Sequence, residues 1–245
     1  MKSVKGEEIA KATTVFFGSI GSIAETSEIQ LEAYNRCFSE FGLSWRWSRS
    51  QYESMLVKAG GEVRIQDYAL ATKTVLSNSE AADLYQKKSD LFLEIVKRKG
   101  ASPRAGVVEL MNQCKKNNVS IAWITTTTLQ NIDAIQSALG DQVDFELFSF
   151  ISNLNDCVEL KPSPEIYIKS VKKLGGNPDH TVVVEDSNSG VLSAKGAGLY
   201  CIATPGDYKT TQDFSRADIK LTDLACLELL PDSSGSNLAS IKLVK

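Results

Sequence analysis

The sequence predicts an α/β protein in which a doubly wound parallel sheet carries an inserted block of helices. The first strand is predicted at Thr13–Phe17, a short apolar run that ends at a glycine. Beyond Pro103, apolar runs alternate with helical patterns, as in parallel sheets whose strands are joined by crossover helices. Between these regions the periodicity is only helical. We therefore expect residues 26–100 to form a helical cap over the carboxyl end of the sheet, and residues 1–25 and 101–245 to form the core.

The cap helices follow from apolar spacing and from residues that start or stop a helix. One pattern ends before Gly42, and Ser48 is expected to cap the next helix. The double glycine Gly60-Gly61 breaks the pattern that follows. The helices are thus predicted at Ser27–Phe41, Arg49–Lys58, Glu62–Thr74 and Ser79–Lys99, with Trp45-Arg46-Trp47 in an extended segment.

The second half of the chain predicts alternating strands and helices. The predicted strands are Val119–Ile124, Phe145–Phe150, Thr181–Val184, Tyr200–Ala203 and, at the edge of the sheet, Ile219–Leu221. The predicted helices are Arg104–Asn117, Leu129–Leu139, Ser163–Leu174 and Ser187–Ala197. The polar, Gly/Ser-rich stretch Pro231–Asn237 is expected to be mobile.

Composition and charge exclude several classes of protein. The chain has 245 residues, enough for one large domain or a core with an insert. Its 27 basic and 30 acidic residues give a net charge of −3, which argues against a nucleic-acid-binding surface. No apolar stretch approaches the roughly 18 residues of a membrane span, and Met1–Lys11 lacks the apolar core of a secretory signal.

Five scattered cysteines and a single histidine, His180, argue against a zinc site or a disulfide framework. We expect the cysteines to be small core residues in a reducing compartment, and hence a cytoplasmic protein, most simply a monomer.

Polar residues follow several predicted strands at the point where each strand ends. Gly18-Ser19-Ile20, Thr125 and Glu185-Asp186 should meet at one edge of the sheet, where α/β proteins bind ligands, and Lys161 precedes a neighbouring helix. Hydroxyls, an ammonium and loop N–H groups suit a phosphate, and paired carboxylates suit Mg²⁺. The predicted phosphate contacts are Ser19, Thr125, Thr126 and Lys161, and the predicted metal ligands are Glu185 and Asp186.

Each group also has a structural interpretation. Thr125 could cap a helix, Lys161 could be a surface lysine, and Glu185-Asp186 could begin a helix with favourable dipole charges. Their joint placement, rather than any one of them, favours function.

The chain resembles the haloacid dehalogenase (HAD) superfamily of phosphohydrolases with a helical cap, and within it the CbbY-type sugar-bisphosphate phosphatases. The residues that match are Ile124-Thr125, Lys161-Pro162-Ser163-Pro164 with Tyr167, Val183-Val184-Glu185-Asp186-Ser187 with Gly190, and Ala194-Lys195-Gly196-Ala197-Gly198. The resemblance runs from about Thr13 to Leu221. It implies a Mg²⁺-dependent phosphatase acting on a small phosphorylated metabolite, without a nucleotide cofactor.

The first motif of the family departs from this pattern. The family has Asp-x-Asp, in which the first Asp is the nucleophile and a Mg²⁺ ligand and the second is the general acid/base. Here Gly18 and Ile20 stand at the two positions. Loss of a covalent nucleophile removes most of the rate enhancement, and loss of one protein ligand predicts a weakened or vacant Mg²⁺ site.

The cap departs as well. Glu62 follows the double glycine where the CbbY group usually has Lys, so specificity for a bisphosphate is in question. Arg64 remains. The candidate substrate contacts from the cap and its linker are Glu25, Arg46 and Arg64, although Trp45-Arg46-Trp47 is more simply explained as aromatic packing with arginines in solvent.

These observations favour a degenerate phosphatase that binds phosphate or a sugar phosphate, in a binding or regulatory role that could involve a protein partner. One alternative is an active Mg²⁺-dependent phosphohydrolase with a relocated nucleophile, for which Ser19, Ser22 and Glu25 are candidates and Asp186 a candidate base. Two others are a phosphatase inactivated by design and an interaction protein without a ligand.

Overall fold

The computed structural model describes residues 6–57, 60–232 and 238–244. The strands are β1 (Glu7–Ala12), β2 (Thr14–Phe17), β3 (Ser120–Trp123), β4 (Phe148–Ile151), β5 (Thr181–Glu185), β6 (Tyr200–Ala203), β7 (Ile219–Lys220), β8 (Leu227–Pro231) and β9 (Ala239–Leu243). The α-helices are α1 (Ile20–Ile23), α2 (Ser27–Glu40), α3 (Arg49–Met55), α4 (Gly61–Ala71), α5 (Asn78–Lys99), α6 (Val107–Lys116), α7 (Leu129–Leu139), α8 (Glu165–Lys173) and α9 (Asn188–Gly196).

Six parallel strands form the central sheet in the order β4-β3-β2-β5-β6-β7. Successive side chains of a strand point to opposite faces, and here Phe17 packs into one core and Phe16 into a second one. Both faces of the sheet are therefore covered, which confirms the predicted doubly wound parallel fold. The central position of β2 brings its end beside those of β3 and β5.

Helices α2 to α5 lie between β2 and β3 in the chain, as predicted for an inserted cap. α5 packs against α2 and α4 and also contacts α7 of the core. Trp47 is buried, and its ring lies 4.6 Å from that of Tyr34 and 4.7 Å from that of Phe38, measured between centroids. Trp47, one of the two tryptophans in the predicted extended segment, is thus a packing residue of the cap. The cap boundaries at residues 26 and 100 stay a prediction.

A second sheet was not predicted from the sequence. β9 pairs antiparallel with β1 and with β8, and the Lys11 ammonium lies 3.0 Å from the Asp232 carboxylate beside them. Each of these strands has only five or six residues, and the pairing of β1 with β9 joins opposite ends of the chain, which local patterns do not reveal. The mobility predicted from Pro231 to Asn237 is wrong at Pro231, which ends β8, and at the buried Asp232. Residues 233–237 lie outside the described residues.

Some element boundaries also differ from the predictions. α6 begins at Val107 rather than Arg104, after Gly106 at φ 81°. A Cβ on Gly106 would lie 2.2 Å from the carbonyl carbon of Leu224, so the chain must turn there before the helix starts. Phe145–Leu147 forms a 3-10 turn ahead of β4 instead of a strand. Nowhere in the described residues does a helix combine the length and apolar character needed to cross a membrane.

Candidate phosphate site at the carboxyl edge of the sheet

The predicted site residues converge because three neighbouring strands end at one level. The Gly18 N–H donates to the Val184 carbonyl at 2.8 Å, and the Ile124 N–H donates to the Phe17 carbonyl at 2.6 Å. Lys161 reaches the same place from the loop before α8, and its Nζ donates to the Ile124 carbonyl at 2.9 Å. The sheet thus assembles residues that are far apart in sequence.

The Glu185 carboxylate fills the space beside Gly18. A Cβ on Gly18 would lie 2.3 Å from Glu185 Cδ and 2.4 Å from Oε1, well inside normal contact. On the other side, a Cβ on Gly190 would lie 2.1 Å from the same Cδ. Glu185 therefore lies between two glycines, in the place where the family resemblance assigns a nucleophilic side chain.

Buried partners hold Glu185 there. Its Oε1 accepts hydrogen bonds from Lys161 Nζ and from the Tyr167 hydroxyl, both at 2.6 Å. Burial and the neighbouring Glu185 carboxylate raise the pKa of Tyr167 well above its ordinary value. Lys161 is buried, donates also to Ile124 and Tyr167, and does not line the cavity described below. The structure thus places this predicted phosphate contact beneath the cavity, in an ion pair with a predicted metal ligand.

Asp186 is likewise buried and paired. It accepts a hydrogen bond from the Ser19 hydroxyl and forms an ion pair with Lys209, a residue of the loop after β6. Burial opposes ionisation of Asp186, but the Lys209 ammonium and the Ser19 hydroxyl outweigh burial and hold the pKa of Asp186 below its ordinary value. The sequence analysis did not identify Lys209, because no motif or spacing marks it.

These residues, as arranged, do not fit Mg²⁺. Gly18 offers no side-chain ligand, and each of the two carboxylates already faces an ammonium. In the described part of the chain, no three His, Cys, Asp or Glu side chains are grouped so that they could hold a metal ion. Mg²⁺ prefers several free oxygen ligands in near-octahedral geometry.

A cavity of about 510 Å³ lies between this edge of the sheet and the cap. Hydroxyl, amide and charged groups line its walls. Lining residues from the core side are Ser19, Ile20, Gly21, Glu25, Thr125, Thr126, Thr127, Thr128, Asn131, Leu154, Leu160 and Lys209. Those from the cap include Gln30, Tyr34, Tyr52, Glu62, Arg64, Tyr85 and Lys88.

Hydrogen bonds to Ser152 hold the loop after β3 in place. The Thr125 N–H donates to Ser152 Oγ at 2.9 Å, and the Ser152 hydroxyl donates back to the Thr125 carbonyl at 2.7 Å. The Thr127 N–H donates to Thr125 Oγ1 at 3.2 Å. The residue that caps α7 is Thr128, so Thr125 does not serve as that cap. Thr125 and Thr126 line the cavity, as a role in anion binding requires.

Asn131 adds an acceptor to this wall. Its side chain is 5% exposed, and its Nδ2 donates to Thr127 Oγ1 at 2.8 Å. Its Oδ1 is buried and has no hydrogen-bond partner. Buried polar atoms are rarely left unpaired, so a ligand hydroxyl donating to Asn131 would satisfy this oxygen.

The cap contributes two cations, of which the sequence analysis identified only Arg64. Lys88 is 4% exposed, donates to Gln30 Oε1, and lies 4.7 Å from the centroid of the Tyr34 ring. Burial and then the charge of Arg64 lower the pKa of Lys88 to about 7. Within the described residues Lys88 makes no ion pair with a carboxylate. Its position four residues after the buried Leu84 was an available signal, because that spacing places it on the apolar face of α5.

The other predicted cap contacts divide between the cavity and the surface. Glu25 lines the cavity and accepts from the N–H groups of Ser27 at 2.8 Å and Asp207 at 2.7 Å. Glu62 also lines the cavity. Arg46 is exposed and is not among the lining residues, so the structure does not bring it to the site.

The chain belongs to the haloacid dehalogenase-like hydrolase family, whose model matches residues 21–204. The matched range begins directly after Gly18-Ser19-Ile20, where the first motif departs from the family pattern.

Within this family the chain is of the CbbY type. It is 32% identical over 220 residues to protein CbbY of Rhodobacter capsulatus, covering 89% of this chain and 97% of that protein. It is 33% identical over 211 residues to protein CbbY of Cereibacter sphaeroides, covering 86% of this chain and 92% of that protein.

Crystal structures of CbbY from Rhodobacter sphaeroides match this fold. The complex with phosphate matches with a TM-score of 0.80 at 32% identity, covering 87% of this chain and 95% of that one. A mutant of that CbbY in complex with xylulose-(1,5)bisphosphate matches with a TM-score of 0.81 at the same identity and coverage. The resemblance to CbbY-type HAD proteins predicted from the sequence is confirmed.

Proposed function

We propose that this protein binds phosphate or a phosphorylated sugar in the cavity between core and cap, and does not hydrolyse it by the aspartate route of its family. The observation that carries the proposal is Glu185, which fills the space beside Gly18 and is paired there with Lys161. An acyl-phosphate intermediate needs a carboxylate at that position, and glycine has none.

Binding is supported by the walls of the cavity. Thr125 and Thr126 offer hydroxyls, Arg64 and Lys88 offer positive charge, and Asn131 offers an unpaired acceptor. A phosphoryl group prefers cations and hydroxyl donors, and a sugar hydroxyl would satisfy Asn131. CbbY of Rhodobacter sphaeroides has been crystallised with phosphate and, as a mutant, with a sugar bisphosphate.

Turnover and binding are tested separately. We expect no phosphate release above background from a panel of sugar mono- and bisphosphates, with and without Mg²⁺. We expect at least one member of the panel to raise the Tm, because a ligand of the folded state stabilises it by mass action. Turnover by the unmodified chain would contradict the proposal for catalysis.

A matched pair of variants locates the binding site. Lys88→Met removes the buried cation of the cavity, whereas Lys87→Met removes its exposed neighbour, which pairs with Glu40 at 2.8 Å on the surface. We expect Lys88→Met to reduce the Tm shift caused by the ligand and Lys87→Met to leave it unchanged. Equal shifts in both variants would place binding elsewhere.

One observation favours a second function, hydrolysis with Ser19 as the nucleophile. The Ser19 hydroxyl donates to Asp186 beside the cavity, so Asp186 could take its proton as the oxygen attacks phosphorus and the sugar oxygen leaves with its bond to phosphorus broken. Water would then have to cleave the phosphoserine and release phosphate. Lys209 holds the pKa of Asp186 low, which makes Asp186 a weak base. Turnover abolished by Ser19→Ala would support this function. Neither turnover nor a Tm shift from any phosphate would instead favour an interaction role without a ligand.

A further inference from the structure

Lys209 supplies a positive charge directly at one of the two carboxylates. Its Nζ pairs with Asp186, whose side chain is 1% exposed, while the Lys209 side chain is 16% exposed. Lys209 also lines the cavity. An ammonium of this chain therefore contacts the carboxylate to which the family resemblance assigns a metal ion.

Neighbouring residues fix the loop that carries Lys209. The Asp207 N–H donates to Glu25 Oε2 at 2.7 Å, and the Tyr208 hydroxyl donates to Glu28 at the start of α2. Tyr208 is buried, which anchors the loop against the cap on the side next to Lys209. Lys209 is thus held at Asp186 by contacts beyond its own ion pair.

The charges at the edge of the sheet balance without a metal. Lys161 faces Glu185 at 2.6 Å and Lys209 faces Asp186, so two ammonium groups match two carboxylates. A divalent cation at Asp186 would have to displace the Lys209 ammonium, and it would find no side-chain oxygen at Gly18. Separating buried charges that are already paired is costly, because each displaced group loses its partner in a poorly solvated site.

We infer that Lys209 acts as a built-in cation at Asp186, so that this site takes no divalent metal and the neighbouring cavity binds phosphate without Mg²⁺. The statement about phosphate rests on the proposed function, whereas the statement about the metal does not.

The metal is tested first on the unmodified protein without phosphate. We expect the Tm in EDTA and in about 10 mM MgCl₂, at matched ionic strength, to agree within about 1 °C. A saturable rise of about 3–6 °C, the size given by a site with a Kd of about 1 mM in a chain of this length, would overturn the inference.

The ion pair is tested with Lys209→Met, Asp186→Asn and the double variant. Lys209→Met leaves a buried carboxylate unpaired, so we expect a lower Tm, and the double variant should recover at least half of the loss. Additive changes in Tm would show that the two residues are not coupled and would overturn the inference. If Lys209→Met does not fold, folding of the double variant still demonstrates the coupling, and its failure to fold would count against it.

Phosphate separates the two proposals. Inorganic phosphate should raise the Tm equally in EDTA and in Mg²⁺. A rise seen only with Mg²⁺ would overturn the inference. No rise in either condition would contradict the proposed binding of phosphate, while the two preceding experiments still decide the role of Lys209.

Discussion

The lysines at the two ends of the cavity differ in whether they pair with a carboxylate. At the sheet edge, Lys161 and Lys209 each face a carboxylate, Glu185 and Asp186 respectively. At the cap, Lys88 is buried against aromatic rings and Gln30, and pairs with no carboxylate of the described residues. At the sheet edge each lysine faces a carboxylate, whereas Lys88 at the cap faces none among the described residues. The contrast teaches that buried lysines of one chain can differ in whether a carboxylate balances their charge.

We expect the largest effect on stability when the cation that pairs with Glu185 at the sheet edge is removed. Lys161→Met leaves Glu185 buried without its cation, so we expect a loss of about 3–5 kcal/mol in the free energy of unfolding. Urea denaturation measures it. The control is Lys169→Met, which breaks a surface pair with Glu165 in which Lys169 is 53% exposed, so its loss of stability should be much smaller. Equal losses in the two variants would mean that the buried Lys161–Glu185 pair matters no more for stability than a surface pair.

The next effect concerns the space beside Gly18. Gly18→Ala places a methyl group 2.3 Å from Glu185 Cδ, and the strain of overpacking should cost about 1–3 kcal/mol. The control is Gly176→Ala, whose nearest neighbour would be 3.6 Å away. A neutral Gly18→Ala variant would show that Glu185 moves aside freely. For the same reason, Gly18→Asp would require the Glu185 carboxylate to move out of this space.

Lys88, at the cap end of the cavity, should affect how the stability of the protein depends on pH. The folded pKa of Lys88, about 7, lies below its ordinary value of 10.5, so between these values the unfolded chain binds more protons. Lys88 should therefore make stability rise with pH from about 7 to about 10, by up to about 1.4 kcal/mol per pH unit. The difference in the free energy of unfolding between the unmodified protein and Lys88→Met, followed against pH, isolates the contribution of Lys88. A difference that does not vary with pH would mean that Lys88 is charged throughout.

The smallest effect lies in the contact between cap and core. Arg49 is an exposed residue of α3, and its guanidinium lies 4.3 Å from the centroid of the Tyr208 ring. We expect Arg49→Ala to cause the smallest loss of stability among these variants, measured by thermal or urea unfolding, because an exposed cation–π contact is weak. Arg98→Ala, at another exposed cap position, is the control. A larger loss for Arg49→Ala would indicate that this contact dominates the attachment of the cap.

The sequence predicts most of the fold, because its elements carry strong local signals. Leu129–Leu139 and Tyr200–Ala203 were predicted at their observed bounds. The antiparallel sheet of β1, β9 and β8 was missed, and its β1–β9 pairing joins residues more than two hundred positions apart. Site residues at strand ends were predicted for a physical reason: parallel strands bring their carboxyl ends to one edge. Lys209 carried no such marker, because a lysine in a loop is ordinarily solvated. Lys88 did carry one, its helical spacing from Leu84, but that spacing was not used.

The sequence by itself determined the family, the parallel fold and the absence of both aspartates at Gly18 and Ile20. Only the tertiary structure decided what replaced them. Glu185 occupies the space beside Gly18, and Lys161 and Lys209 balance the two carboxylates. Which lysine faces which carboxylate depends on distances between loops that are remote in sequence. The energy of a charge pair depends on the distance between the charges and on their burial, and residue order specifies neither.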